Sequence, residues 1–261
     1  MPALETTLAG LGIDLRAQTN IELDLEDRPS KRSRPSCRTI DVPGRVVLML
    51  KPIGGLDDWR YLFHEAGHAE HFAYTGANLP VEARRLGDDA VTEGFAFLLE
   101  LLVDDPTWLR TRSNPDGVDE IAHDSAALRL HLVRRHCGKL LYELELRGGG
   151  DLAAMPERFR ESIVAATRVD PTSSEYLLEF SETTPFYSSS YLRAWAFEAH
   201  LSSHLTEQYG PAWFTRREAG SLLRELWHEG QALRADELIS RVTGATLELT
   251  AIGGRIRSRL S

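Results

Sequence analysis

The sequence predicts a mainly helical protein with a small β-sheet near its N-terminus, and two periodicities support this class. Short runs within residues 20–50 alternate between apolar and polar side chains, as strands do. From Leu56 onward the apolar spacing changes to about 3.6 residues, the period of an α-helix. The chain has 261 residues, 42% hydrophobic and 26% charged, which is ordinary for a globular protein. We expect one domain over 1–261, with a sheet and loops at 1–55 and a helical body at 56–261.

The individual elements follow from these periods and from turn residues. The first fifty residues are expected to be extended chain and turns, with strands at 20–27, 37–42 and 46–50. The basic stretch 28–37 has no periodicity and is expected to be a solvated loop; the alternative is a loop that contacts an acidic ligand. Asp57 or Asp58 can cap the first long helix. Helices are predicted at 57–76, 88–105, 118–147, 152–168, 187–209, 212–228 and 235–242.

Composition excludes several classes of function. The formal charge of −9 disfavours binding to nucleic acid or to an anionic membrane, since both require clustered positive charge. Only two cysteines occur, Cys37 and Cys137, which is a poor disulfide framework and is typical of a reducing compartment. No secretory signal and no apolar run of about 18 residues is found. We therefore expect a cytoplasmic protein.

The segment HEAGH contains two histidines four residues apart in a predicted helix. Side chains at this spacing project from adjacent turns of one face, so His64 and His68 can bind one ion at about 2.0–2.1 Å. Glu65 points toward the same side and can take a proton from an activated water, as in the HExxH pattern. The alternative is that these histidines only cap or fill a core. The pattern indicates a catalytic site with one Zn²⁺ per chain.

A catalytic zinc ion takes three protein ligands and a water, so a third ligand is expected on a second helix. Glu93 lies 25 residues after His68, beyond a loop that is long enough to turn the chain back. Its apolar neighbours indicate a buried helix face, where an unpaired carboxylate is costly. Glu93 is favoured for this reason over its rivals Asp88, Asp89 and Glu100.

His71 lies seven residues after His64 and therefore on nearly the same face of the helix. Three ligands from one straight helix crowd one side of a tetrahedral ion, so we expect His71 to orient a ligand or to contact substrate. The alternative is a partly buried histidine without a role at the metal. No spacing supports a role for His123, His131, His136, His200, His204 or His228.

The segments HEAGHAEH and TEGFAFLLE, followed far downstream by FYSSSYLRAWAFEAHL, resemble the catalytic half of the thimet oligopeptidase and oligoendopeptidase F family of gluzincin-type zinc metallopeptidases. The resemblance spans roughly residues 40–210 and implies a zincin-like catalytic domain. It implies His64, His68 and Glu93 as ligands and Glu65 as base. Family members are more than twice this length, so most of their N-terminal lobe is expected to be absent here.

The tyrosine-rich segment of the same resemblance implies two further roles. Tyr191 is expected to donate a hydrogen bond to the transition state, and Tyr187 to contact substrate. The run VVLML at 46–50 is a candidate sheet edge to which an extended peptide adds through main-chain hydrogen bonds; the alternative is a buried inner strand.

The sequence therefore predicts a zinc metallopeptidase, an endo- or oligopeptidase, with peptides as its substrates. Two other functions stay open. One is a zinc-dependent hydrolase of a non-peptide amide or a specialised metabolite, which would bind the metal equally well. The other is a non-catalytic metal-binding scaffold, against which the intact Glu65 argues, because a purely structural site needs no base beside its ligands.

Overall fold

The computed structural model describes residues 1–29, 31, 35–51, 54–113, 116–171, 175 and 185–260. The strands are β1 (Ile21–Asp24), β2 (Ser36–Asp41) and β3 (Arg45–Met49). The helices are α1 (Pro2–Gly10), α2 (Leu56–Tyr74), α3 (Val81–Arg85), α4 (Asp89–Glu100), α5 (Pro106–Arg112), α6 (Val118–Arg147), α7 (Met155–Thr167), α8 (Tyr187–Tyr209), α9 (Arg217–His228), α10 (Ala235–Thr243) and α11 (Thr250–Leu260). The predicted class, mainly helical with a small N-terminal sheet, is confirmed.

The N-terminal segment corrects the prediction, because α1 stands where extended chain was expected. Leu4, Leu8 and Leu11 have the spacing of one helix face and are fully buried. A helix of nine residues is too short to be stable alone and depends on such packing. The prediction also omits α3, α5 and α11. In α11 the adjacent glycines Gly253 and Gly254 weaken the helical signal.

The sheet has the strand order β1-β3-β2. β3 pairs in parallel with β1 and antiparallel with β2, so both of its edges are hydrogen-bonded. The hypothesis that 46–50 is a free edge for a peptide is therefore wrong, and the alternative of a buried inner strand is correct. Val46 and Leu48 are fully buried on this strand. β2 packs against α2 and is the edge strand beside the HEAGH segment.

The loop between β1 and β2 differs from the expected solvated loop at Lys31. Its side chain is only 1% exposed, and Nζ lies 3.0 Å from an Asp24 carboxylate oxygen. The same Nζ donates to the main-chain oxygens of Asp24 and Glu26 at 2.6 Å and 2.9 Å. This lysine fixes the loop to the end of β1. Residues 30 and 32–34 of the basic stretch lie outside the described part of the chain.

The main core lies where α2, α4 and α8 meet. Phe95 of α4 contacts Phe197 of α8 edge-to-face, with ring centroids 5.1 Å apart. Phe63 of α2 contacts Trp108 of α5 in the same way at 5.2 Å. A smaller apolar cluster joins α6 to α7 around Tyr142. None of the helices in the described residues is long and apolar enough to cross a membrane.

A buried carboxylate connects the N-terminal segment to α2. Glu70 is 1% exposed, and its Oε2 accepts a hydrogen bond from Gln18 Nε2 at 2.9 Å. The Oε1 atoms of both residues are buried without a hydrogen-bond partner among the described residues. Burial raises the pKa of Glu70 to about 7, since removal from water disfavours the charged form.

Replacement of Glu70 by glutamine is expected to remove a pH-dependent loss of stability. The carboxyl pKa is 4.5 before burial and about 7 in the folded protein, so ionisation costs the folded state about 3 kcal/mol. Stability from this group is present below pH 4.5 and is lost as the pH rises through about 7. We expect Glu70→Gln to be more stable than the unaltered protein at about pH 8 in urea unfolding, with a smaller gain at about pH 5.

The matched control is Glu82→Gln, because Glu82 is exposed on α3. Its stability is expected to follow the unaltered protein at both pH values. Equal pH dependence in Glu70→Gln and Glu82→Gln would contradict the assignment of this loss to Glu70.

Candidate metal centre

α2 brings together the two histidines of the HEAGH segment. His64 and His68 occupy adjacent turns, and their rings meet edge-to-face with centroids 4.9 Å apart. Both side chains are largely buried, at 14% and 13% exposure. The four-residue spacing therefore gives the shared face that the sequence indicates.

α4 adds a carboxylate to this pair. Glu93 Oε2 lies 3.4 Å from His64 Nε2 and 3.7 Å from His68 Nε2. One ligand atom from each residue lies within 4.8 Å of the other two. Two of the three rival acids have other partners: Asp88 caps α4 and pairs with Arg193, and Glu100 contacts Nδ1 of His64, on the other side of the ring.

These three residues fit a divalent metal ion. Two ligands at zinc distances on a tetrahedral ion lie about 3.3–3.5 Å apart, close to the separations of Glu93 from the imidazoles. Glu93 Oε2 is buried and has no hydrogen-bond partner among the described residues, although it faces two imidazole nitrogens. Two imidazoles and one carboxylate form a donor set that zinc accepts.

The close approach of α2 and α4 depends on Gly67. A Cβ atom at this position would lie 2.6 Å from Ala96 Cα and 2.7 Å from the main-chain oxygen of Phe95. Both are backbone atoms of α4, which cannot move aside as the end of a side chain can. A residue without a side chain between the two histidines therefore allows Glu93 to reach them.

The other ring nitrogens of the histidines are held by neighbouring side chains. His64 Nδ1 lies 2.8 Å from Glu100 Oε2, and the second oxygen of Glu100 accepts from Arg129 Nη2 at 2.8 Å. His68 Nδ1 lies 2.9 Å from Thr92 Oγ1. Contacts of this kind orient an imidazole so that its Nε2 points at a metal.

The surroundings shift the pKa values of the two imidazoles in opposite directions. Burial opposes a charge on His64, but the neighbouring carboxylates of Glu100 and Glu93 outweigh it and raise its pKa to about 10. Burial lowers the pKa of His68 to about 3. The carboxylates have a lowered pKa despite burial, because Arg129 and His64 face Glu100 and His64 faces Glu93. The carboxylates therefore favour a charged His64, whereas burial favours a neutral His68.

Glu65 faces a cleft between α2 and the sheet. Its Oε2 accepts a hydrogen bond from the backbone N–H of Cys37 on β2 at 2.7 Å. The cleft has a volume of about 420 Å³ and is lined by Glu65 and His68 on one side and by residues 35–39 on the other. The predicted base thus stands between the edge strand and a predicted ligand.

The two tyrosines of α8 lie next to each other at this centre. Tyr187 donates a hydrogen bond from its hydroxyl to Glu93 Oε1 at 2.6 Å and is also hydrogen-bonded to Tyr191. Burial and the charge of Glu93 raise the pKa of Tyr187 far above its ordinary value. Tyr191 stacks on His136 with ring planes 4° apart and centroids at 5.0 Å.

His71 lies outside this group, and its burial corrects the expectation that it contacts a substrate. The residue is fully buried, and its ring packs against Phe72 and Phe95. Burial lowers its pKa to about 4, so the ring is neutral at pH 7. A separation of seven residues moves a side chain about 10.5 Å along the helix axis, which takes His71 past the centre and into the core.

Sequence reasoning missed the roles of four residues at the centre, although it named Glu100 as a rival ligand and His136 as a histidine without spacing support. Thr92 and Glu100 contact the ligand histidines, and both could have been found, since Thr92 precedes Glu93 and Glu100 lies seven residues after it on the same helix face. Arg129 and His136 come from α6. The spacing of residues within α6 does not predict that this helix packs against the site.

Solved structures share this fold, although no protein-family model and no curated protein matches the chain. Trypanosoma cruzi metallocarboxypeptidase 1 superimposes with a TM-score of 0.71 at 14% identity, over 99% of this chain and 60% of that one. The M32 carboxypeptidase from Deinococcus radiodurans R1 gives a TM-score of 0.69 at 16% identity, over 99% of this chain and 58% of that one. The chain shares its fold with the parts of these two carboxypeptidases that it covers.

A further similar structure is PZ peptidase A with an inhibitor, at a TM-score of 0.67 and 18% identity, over 91% of this chain and 43% of that one. The chain thus spans 58–60% of the length of the two carboxypeptidases. These similarities show that the chain shares a fold with peptidases of known structure. Membership of the thimet oligopeptidase and oligoendopeptidase F family stays a prediction.

Substitution of Gly67 by alanine is expected to force α4 away from α2. Overpacking between two backbones costs about 1–3 kcal/mol of unfolding free energy and separates Glu93 from the histidines. Urea unfolding and bound-metal analysis measure the two effects. The matched control is Gly254→Ala in α11, where no atom lies within 4 Å of the added Cβ, and where a gain of up to about 1 kcal/mol is expected. Full stability and full metal binding in Gly67→Ala would contradict the role of this contact.

Proposed function

We propose that this chain is a zinc-dependent metallopeptidase in which His64, His68 and Glu93 bind one zinc ion. One observation carries the proposal: Glu93 Oε2, buried and without a hydrogen bond among the described residues, faces the Nε2 atoms of both histidines. Two histidines and a glutamate are the ligand set of a known class of catalytic zinc sites. The shared fold with metallocarboxypeptidases supports the same class of activity.

Glu65 is the proposed general base. When bound, zinc supplies Lewis acidity and lowers the pKa of water to about 7. Glu65 takes the proton of the attacking water and later delivers it to the leaving amine. Its position favours this role, because its carboxylate lines the cleft and the residue is next in sequence to a proposed ligand. Its Oε2 also accepts a hydrogen bond from the backbone of the edge strand at 2.7 Å.

Tyr191 is the proposed donor to the oxyanion that develops on the substrate carbonyl. A single donor of this kind contributes about 2.7–4 kcal/mol to transition-state stabilisation. Its neighbour Tyr187 is hydrogen-bonded to Glu93, and this supports a hydroxyl of Tyr191 close to the metal. His136 and Phe97 pack against the ring and restrict its orientation.

We assign the bound peptide to the edge of β2. The backbone N–H of Cys37 and the backbone oxygen of Thr39 point away from β3 and are hydrogen-bonded to the side chains of Glu65 and Arg85, which a paired peptide would replace. An extended peptide that pairs with this edge passes directly along the cleft beside His68. Main-chain pairing gives affinity with little demand on the substrate sequence.

Two kinds of peptidase are compatible with this site. The sequence resemblance favours an endo- or oligopeptidase, whereas the fold is shared with metallocarboxypeptidases. A peptide with a free C-terminus and the same peptide as a C-terminal amide distinguish the two. We expect internal cleavage of both peptides. Release of single C-terminal residues from the free acid alone would identify a carboxypeptidase instead.

Replacement of the base and of the carboxylate ligand is expected to separate chemistry from metal binding. In Glu65→Gln we expect one zinc per chain and a loss of peptide cleavage by about 10²–10⁴-fold, because the base is removed and the ligands are kept. In Glu93→Ala we expect loss of both zinc and cleavage. Zinc is quantified by elemental analysis, and cleavage is measured by mass spectrometry on a mixed library of unstructured peptides.

Glu82→Gln serves as control, since this glutamate is exposed on α3 and outside the cleft. It is expected to retain zinc and cleavage. Stoichiometric zinc without cleavage of any peptide would favour the hydrolase of a non-peptide amide or metabolite. Absence of zinc from the unaltered protein would overturn the proposed function.

A further inference from the structure

We propose that Tyr187 is a positioning residue for the metal ligand Glu93 and does not bind substrate. The inference rests on the proposed function, because it assigns Glu93 to the zinc ion. The Tyr187 hydroxyl donates to Glu93 Oε1 at 2.6 Å, which is a short hydrogen bond to a charged acceptor. It uses one oxygen of the carboxylate and leaves the other for the metal.

The two oxygens of Glu93 have different surroundings. Oε1 is bound by Tyr187, while Oε2 lies 3.4 Å and 3.7 Å from the Nε2 atoms of His64 and His68. A free carboxylate rotates about its terminal bond, and rotation would exchange the two oxygens. The hydrogen bond from Tyr187 opposes this rotation and holds Oε2 toward the histidines. Partners of this kind orient metal ligands and raise metal affinity.

Tyr187 is itself fixed by a contact between α6 and the start of α8. The preceding residue, Phe186, has a φ of 58°, a left-handed conformation that is uncommon for an aromatic residue. Its backbone N–H donates to Glu143 Oε1 at 2.6 Å. The same oxygen accepts from Arg147 Nε at 2.7 Å, and the Arg147 guanidinium lies 5.8 Å from the Phe186 ring centroid. Helix α6 therefore sets the position from which Tyr187 reaches Glu93.

The single proton of the Tyr187 hydroxyl is already donated in this arrangement, so the group cannot donate to a substrate. Its one proton is donated to Glu93, and its oxygen is within hydrogen-bond reach of Tyr191. Tyr191, one helical turn further on, is the proposed donor to a substrate, and in that role its proton leaves Tyr187 for the substrate. The two tyrosines of α8 have separate roles: one orients the ligand, and the other belongs to the chemistry.

The experiment compares zinc affinity in Tyr187→Phe and Tyr191→Phe, which remove matched hydroxyl groups from adjacent turns of α8. Zinc dissociation constants are measured by competition with a chromophoric chelator on the whole 261-residue chain. We expect Tyr187→Phe to weaken zinc binding by about 10–100-fold and Tyr191→Phe to leave it unchanged. Thermal unfolding of the metal-free proteins identifies any variant that fails to fold.

Peptide cleavage at increasing zinc concentration gives a second readout. If Tyr187 only positions Glu93, excess zinc restores kcat and KM of Tyr187→Phe toward the values of the unaltered protein. The inference is overturned if Tyr187→Phe binds zinc as tightly as the unaltered protein, or if its KM stays raised at saturating zinc, as for a substrate contact. Equal weakening in both variants also overturns it. Absence of zinc from the unaltered protein defeats the proposed function first, which distinguishes the two failures.

Discussion

A buried carboxylate that needs positive charge is the constraint on which the centre of this protein depends. Glu93 is 6% exposed and carries an unbonded oxygen among the described residues, an arrangement that is costly unless cations or metal compensate it. Two imidazoles from α2 face this carboxylate, and a hydroxyl from α8 is hydrogen-bonded to it. Helix α6 contributes indirectly, because its Arg129 forms an ion pair with Glu100, which in turn contacts His64. Residues of four helices, α2, α4, α6 and α8, thus contribute to the surroundings of this one carboxylate.

The sequence predicts much of this centre because its strongest signals are local. The spacing of His64 and His68 specifies a shared helix face without any tertiary information. Glu93 could be predicted because a glutamate among apolar helix residues requires a partner. The long helices α6 and α8 have the predicted bounds for the same reason: their apolar period and their stop signals lie within the elements themselves.

The remainder depends on contacts between segments distant in sequence. Strand β3 lies in the middle of the sheet because it pairs in parallel with β1, although β2 stands between the two in sequence. Local alternation of side chains cannot reveal such a pairing. Helix α1 is missed because its stability comes from burial of Leu4 and Leu8 against later elements. His71 shows another limit of prediction from sequence. The helical period gives the face on which a residue lies, but it does not give the residues of other elements that cover that position.

The backbone contact at Gly67 has a consequence for the order of folding and metal uptake. Small zinc modules order their ligands only when the ion arrives, and the binding free energy is spent on folding them. Here α2 and α4 meet backbone to backbone, with no flexible side chain between them at this point. On the proposed ligand assignment, the packing of α2 against α4 brings the three ligands together without an ion, so the affinity for zinc reflects a site that is already assembled.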